Sequence, residues 1–131
     1  MPDNQSKELA KYRLTKAGEC AMAASSLLTD GLYAHSANRS FYTIFHTIRA
    51  VLALEGVDFK KHSAVISYFQ QHYIKTGVFD RKYSDYAKEA FSIRMDGDYE
   101  DFYIVSKEDA DEQLKHARIF LAAVEKYIGE R

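Results

Sequence analysis

After position 2 the chain contains no proline. Proline breaks helices because it lacks an amide donor and its ring collides with the preceding turn. From residue 3 onward nothing of that kind forbids long helices, so apolar periodicity decides where they lie. Glycines supply the stops, at Gly31, Gly56 and Gly77, because glycine readily closes a helix in the left-handed conformation.

The periodicity predicts a first helix from about Ser6 to Thr29, with Leu9, Tyr12, Lys16, Cys20, Ala24 and Leu27 on one stripe and Asp30-Gly31 as its end. A second helix is predicted from about Tyr33 to Leu54. A third starts near His62-Ser63, buries Val65, Ile66, Phe69 and Tyr73, and stops at Thr76-Gly77. A shorter helix runs from about Arg81 to Ile93, and Asp96-Gly97-Asp98 then reads as a turn. Ser106 to Asp109 resembles a capping box and opens the last helix. Ala110, Leu114, Ala117, Leu121, Val124 and Ile128 form its apolar face. No segment reads as a strand. The expected fold is all-α, an up-and-down bundle of four long helices plus one short helix.

With 131 residues, the chain suits a single domain over 1–131, with about residues 1–5 as a flexible N-terminus. A net charge of −1 removes any overall basic field, so an anion site has to be a local cluster. Cys20 stands alone and is expected to be small and buried; no disulfide or cysteine zinc site follows. The polar start lacks a signal-peptide core and no apolar run is long enough to span a bilayer, so the expected location is cytoplasmic, away from membranes.

On a wheel of about 100° per residue, the second helix has an ordinary core stripe of Phe41, Ile44, Phe45, Ile48, Val51 and Leu52. The opposite arc carries His35, Arg39, Tyr42, His46 and Arg49, with Ala50 and Ala53 between them and no carboxylate. Solvated faces usually mix both charge signs. Guanidinium forks match phosphate oxygens, and imidazoles exchange protons near neutral pH. The small alanines would let a second surface approach. The arc reads as anion-facing or dimer-facing; its alternative is ion pairing with acidic residues on neighbouring helices.

The segment Asn38-Arg-Ser-Phe-Tyr-Thr-Ile-Phe-His46, followed by Arg49-Ala-Val-Leu52, resembles the opening helix of a bacterial and archaeal branch of the HEPN family. Lys61-His-Ser-Ala-Val-Ile66, Phe79-Asp80, Arg94-Met-Asp-Gly-Asp-Tyr99 and the helix from Ser106 to Ile128 resemble further elements of that branch, in order. The resemblance implies a dimeric helical bundle, linked to RNA or nucleotides. Many members are toxins or defence ribonucleases that need no metal; others partner small nucleotidyltransferases. Catalytic members share an arginine, a gap of four to six residues, and a histidine. A histidine can move the ribose 2′-OH proton and an arginine can neutralise charge on the phosphate.

By position, the resemblance implies a catalytic set of Arg94, Asp98 and Tyr99, but tyrosine stands where the histidine belongs. With an ordinary pKa of about 10, tyrosine is a poor base at neutral pH. Arg39 and His46 also satisfy the spacing, about 10.5 Å apart along one helix face. The expected nucleotide or RNA contacts are Arg39, Tyr42, His46, Arg49 and His62. His62 also reads as a helix cap, and Asp98 as a simple partner for Arg94. Lys60-Lys61 reads as a solvated pair; His72 and His116 have no evident partner. No HxxxH, HExxH or carboxylate ladder implies a metal, and no Walker loop or Gly-x-Ser-x-Gly element implies a cofactor or serine nucleophile.

Three functions remain open at this point. The first is a nucleotide- or RNA-linked module in a toxin–antitoxin or nucleotidyltransferase pair, with weak or no catalysis. The second is a metal-independent ribonuclease with an Arg/His or Arg/Tyr site formed across a homodimer. The third is a structural helical dimer without nucleotide function.

Overall fold

The computed structural model describes residues 3–131, so Met1 and Pro2 of the expected flexible terminus lie outside the described residues. Five helices follow one another: α1 (Asn4–Thr29), α2 (Tyr33–Ala53), α3 (His62–Phe69), α4 (Arg81–Tyr99) and α5 (Lys107–Gly129). A π-helical turn, Gln70–Ile74, extends α3. Strands are absent among the described residues. The all-α bundle is as expected, but the short helix is α3, not α4.

That exchange comes from Asp96-Gly97-Asp98, which is helical and not a turn. A Cβ on Gly97 would lie 3.3 Å from Val105 Cγ2 and 3.8 Å from Ala34 Cβ. Glycine serves there as a close-approach residue, where α4 meets the start of α2, so composition alone misreads it as a stop. The true stops Gly31 and Gly56 have φ of +77° and +70°, which only glycine adopts without cost.

Helix α1 begins at Asn4, earlier than expected, because the Ser6 amide donates to Asp3 Oδ1 at 2.7 Å. Its buried stripe is Ala10, Arg13, Ala17, Ala21 and Ala24, while Leu9 and Tyr12 are exposed. The expected stripe is thus rotated by about one residue. Small side chains face inward because α1 packs closely along α2. Cys20 is half-buried rather than buried, and burial pushes its thiol pKa up.

Helix α2 touches all four other helices. Of its 21 residues, 13 are buried. The six residues of its expected core stripe are all buried, and so are Ala50 and Ala53 on the arc read as open. Those alanines sit within the chain's own core, not at a free surface. Three of the four buried hydroxyls on α2 are satisfied within the chain, while Ser40 Oγ has no partner. Ser36 donates to the Ala24 carbonyl at 2.7 Å, and Thr43 and Thr47 donate to the carbonyls one turn back.

Helix α5 buries Phe120 beside Ala117 and Val124, and Leu121 is only partly covered. Phe120 packs at a tilt into an aromatic cluster with Phe69 and Tyr83. The expected cap is present: the Asp109 amide donates to Ser106 Oγ at 3.0 Å. Replacing Ser106 by alanine is expected to lower unfolding free energy by about 1 kcal/mol, and by aspartate to preserve it, as read by urea denaturation.

Candidate functional site

Tyr42 is half-buried on α2, and charged groups from two helices gather on its ring. The Arg39 guanidinium carbon lies 4.8 Å from the ring centroid and that of Arg94, from α4, lies 5.3 Å away. Arg94 also sits 5.2 Å from the Phe41 centroid. The His62 ring stands edge-on to Tyr42 at 5.6 Å, and His46 is tilted at 6.2 Å. Cations over an aromatic face are attracted by its quadrupole, more strongly once water is displaced. Tyr42 therefore holds two guanidinium charges in one place.

Lys61, not His62, is the N-cap of α3 and makes no side-chain cap bond, so His62 is the first helical residue rather than a cap. Its imidazole packs 4.3 Å from Phe45 and 5.7 Å from Phe41, turned in toward α2. Burial, then the charges of Arg94 and Arg49, push its pKa down.

The arc is less bare of carboxylates than its own sequence. Asp58, from the loop after α2, takes Arg49 in a fork, Nε to Oδ1 at 3.2 Å and Nη2 to Oδ2 at 2.8 Å. The buried Arg13 of α1 reaches the same Oδ2 at 3.2 Å and donates to the Arg49 carbonyl at 2.9 Å. The hydrogen bond from Arg49 holds the Asp58 carboxyl below its usual range, assisted by the Phe59 amide. Arg49 is thus paired with a carboxylate from outside its helix, shared with Arg13, where a wheel of α2 could not find it.

Arg39 differs. Its Nε and Nη2 donate to Asn38 Oδ1 at 3.2 and 2.9 Å. Among the described residues it forms no salt bridge. Asn38 in turn donates to Asp98 Oδ2 at 2.9 Å. Arg94 Nε lies 3.5 Å from the same Asp98 oxygen, so Asp98 steadies both arginines, one directly and one through an amide.

The sequence-expected residues are only partly brought together. Arg39, Tyr42, His46, His62 and Arg94 converge; Arg49 faces Asp58 at the margin, and Asp98 serves as a tether. Tyr99 does not join them. Five residues along a helix turn the side chain by about 140°, and Tyr99 is 67% exposed. Asn38 was missed as a site residue, although it stands beside Arg39 in the Asn-Arg pair.

Two grooves flank this cluster. One, of about 510 Å³, is lined by Phe45, Arg49, Asp58, Phe59, Lys60 and His62. The other, of about 330 Å³, lies between α1 and α2 and is lined by Lys16, Glu19, Cys20, Ala23, Arg39 and His46, so it holds one carboxylate. His46 Nδ1 is buried without a hydrogen-bond partner. Burial, reinforced by Arg49, Lys16, Arg39 and Arg13, pushes the His46 pKa down to about 4. The ring is therefore neutral at pH 7, an acceptor rather than a cation, and a weak base.

The sequence profile of the HEPN domain matches residues 10–127. The chain belongs to the HEPN domain family. It is 30% identical over 127 residues to a UPF0332 protein of Thermotoga maritima, covering 97% of this chain and 96% of that protein. A Methanocaldococcus jannaschii protein named as a candidate toxin is 31% identical over 122 residues, covering 93% of this chain and 82% of its own length. A second protein of that organism, similarly named, is 27% identical over 114 residues, covering 87% and 84%. This HEPN chain therefore shares a family with proteins named as toxins. None of its described helices is long and apolar enough to cross a membrane.

The depressed His46 pKa has a measurable consequence. Unfolded His46 takes up a proton near its ordinary pKa of 6.5, whereas the folded residue resists until about 4. The unfolded state then binds more protons, so this contribution to stability is lost as pH falls from 6.5 toward 4. His46→Gln is expected to flatten the pH dependence of stability in that window, and the wild-type imidazole should show no NMR inflection above pH 5.

Proposed function

We propose that this HEPN domain is a nucleotide- or RNA-binding module of the toxin class, acting with a protein partner and with little or no catalysis of its own. The observation that carries the reading is the Tyr42 cluster. Arg39 and Arg94 lie over one phenol ring while Arg39 lacks a carboxylate partner among the described residues. An arginine fork held this way is suited to a phosphate oxygen. On the other side of the cluster, Phe59, His62, Lys60 and the Arg49–Asp58 pair line a groove that offers aromatic faces and cations to a base and its backbone.

Weak catalysis follows from what surrounds Arg94. Its family-pattern companion Tyr99 points elsewhere, and Asp98 occupies its guanidinium. The ribonuclease reading retains one favourable feature, that His46 shares a groove with Arg39, but a pKa of about 4 makes this histidine a weak base at pH 7. A homodimer would place two such clusters in one assembly, and relatives named as toxins make an antitoxin or nucleotidyltransferase partner the natural companion. The expected setting is the cytoplasm.

Fluorescence anisotropy with a labelled oligoribonucleotide in chelator tests this. Saturable binding is expected to weaken with salt, and Arg39→Ala to weaken it about tenfold or more, the loss of one charge-assisted hydrogen bond. Tyr42→Leu should weaken it as well, and the RNA should remain intact. Equal affinity of wild type and Arg39→Ala, or no saturation, would contradict the proposal. Cleavage in chelator that is lost in His46→Gln would replace it with the ribonuclease reading.

A further inference from the structure

Helices α3 and α4 both rest on α2, and between them a groove leads away from the Tyr42 cluster. We infer that this groove is the path of a single RNA strand, whose phosphates lie along Lys88, Arg81 and Lys75 while one nucleotide is held at Tyr42. The inference rests on the RNA-binding reading of the Tyr42 cluster and adds the direction in which the bound strand runs.

The near end of the groove adjoins that cluster. Ser63 follows His62, whose ring stands edge-on to Tyr42. Phe91 packs 5.8 Å from Phe41, the ring that also meets Arg94. Ser63, Ile66, Ser67, Lys88 and Phe91 line the first hollow, of about 220 Å³. Gln70, Ile74, Lys75, Arg81, Ser84 and Lys88 line the next, of about 370 Å³. Lys88 borders both, so one leads into the other. From His62 to Lys75 the helical chain advances roughly 20 Å, a span that takes more than one nucleotide.

Charge points to a phosphate backbone. From Phe59 to Phe79 the chain contains no aspartate or glutamate. Lys75, Arg81 and Lys88 are exposed, and among the described residues none of them forms a salt bridge. The acidic residues of this part of the chain lie elsewhere. Asp80 caps α4, accepting from the Lys82 amide at 2.9 Å, and Glu89 accepts from Gln113 of α5 at 2.6 Å. Asp85, one turn after Arg81, lines neither hollow. Cations spaced along a groove neutralise successive phosphates and release their counterions.

The polar and aromatic lining suits the same ligand. Ser84 is 4% exposed, and its Oγ accepts from Gln70 Nε2 at 2.7 Å where the π-helical turn meets α4. Its hydroxyl donates to no acceptor among the described residues, so that hydrogen is left for a phosphate oxygen. Ser63 and Ser67, one turn apart on α3, present two further hydroxyls. Phe91 supplies an aromatic wall for a base. Cations beside such a wall favour a nucleic acid over an acidic peptide, which has no base to stack.

Fluorescence anisotropy at two RNA lengths tests the path. A long labelled oligoribonucleotide fills the groove, whereas a labelled dinucleotide occupies only the Tyr42 end. Combining Lys88→Gln with Arg81→Gln is expected to weaken the long RNA about tenfold or more, and to make its logarithmic salt dependence shallower by about 1.4, two cations at roughly 0.7 each. Affinity for the dinucleotide should stay at the wild-type value. Lys115→Gln with Arg118→Gln removes the same charge from α5, at exposed positions that line neither hollow, and should leave both RNAs bound as in wild type. All four side chains are exposed, so the helical circular-dichroism spectrum should persist in both pairs. Wild-type affinity of the groove pair for the long RNA, with Arg39→Ala still weakening it, would overturn the path and leave the Tyr42 reading standing. Equal weakening by the α5 pair would overturn the path by reducing the effect to net charge. An Arg39→Ala chain that binds both RNAs as tightly as wild type would remove the Tyr42 anchor, and the continuous path with it.

Discussion

The whole molecule depends on the burial of α2. A helix that touches every other helix has its rotation and register fixed from several sides. Phe41, Ile44, Ile48, Val51 and Leu52 are each at most 1% exposed. Full burial of one such apolar side chain contributes roughly 1.5–3 kcal/mol, so turning α2 would forfeit several of these at once. The functional side chains ride on this same helix. Arg39, Tyr42 and His46 occupy the narrow sector that the core leaves partly open, and they inherit its rigidity.

Electrostatics then divides the cluster. Asp58 is shared by Arg13 and Arg49, so that end has a direct carboxylate partner for both guanidiniums but keeps a net positive charge. At the other end, Tyr42 and Asn38 organise Arg39 without supplying a full negative charge. Asp98 partly offsets Arg94 and is linked to Arg39 through Asn38. The uncompensated positive potential is therefore local, in a chain whose net charge is −1. Burial first, and that potential second, explain why His46 and His62 resist protonation.

Much of this was legible in the sequence, for definable reasons. The scarcity of proline and the placement of Gly31, Gly56 and Gly77 marked the helices, and the stripe from Phe41 to Leu52 marked the core of α2. Misreadings arose where tertiary packing overrode a local signal. Gly97 looked like a turn because close approach to Val105 and Ala34 is invisible in a linear chain. The α1 stripe was misplaced because interior alanines outweighed the larger but exposed Leu9 and Tyr12. The site followed the same rule. Its α2 members were apparent from spacing, whereas Asp58 pairing with Arg49 and Arg94 meeting Tyr42 join residues from separate segments. Periodicity within one helix carries no information about such pairs.

Native-state hydrogen exchange is the most direct test of the central role of α2. If that helix is clamped from all sides, the amides of Phe41, Ile44 and Ile48 should exchange only through global unfolding, with protection free energies equal to the stability of the domain. Those amides exchanging through a local opening, markedly faster than amides in the middle of α5, would contradict the account.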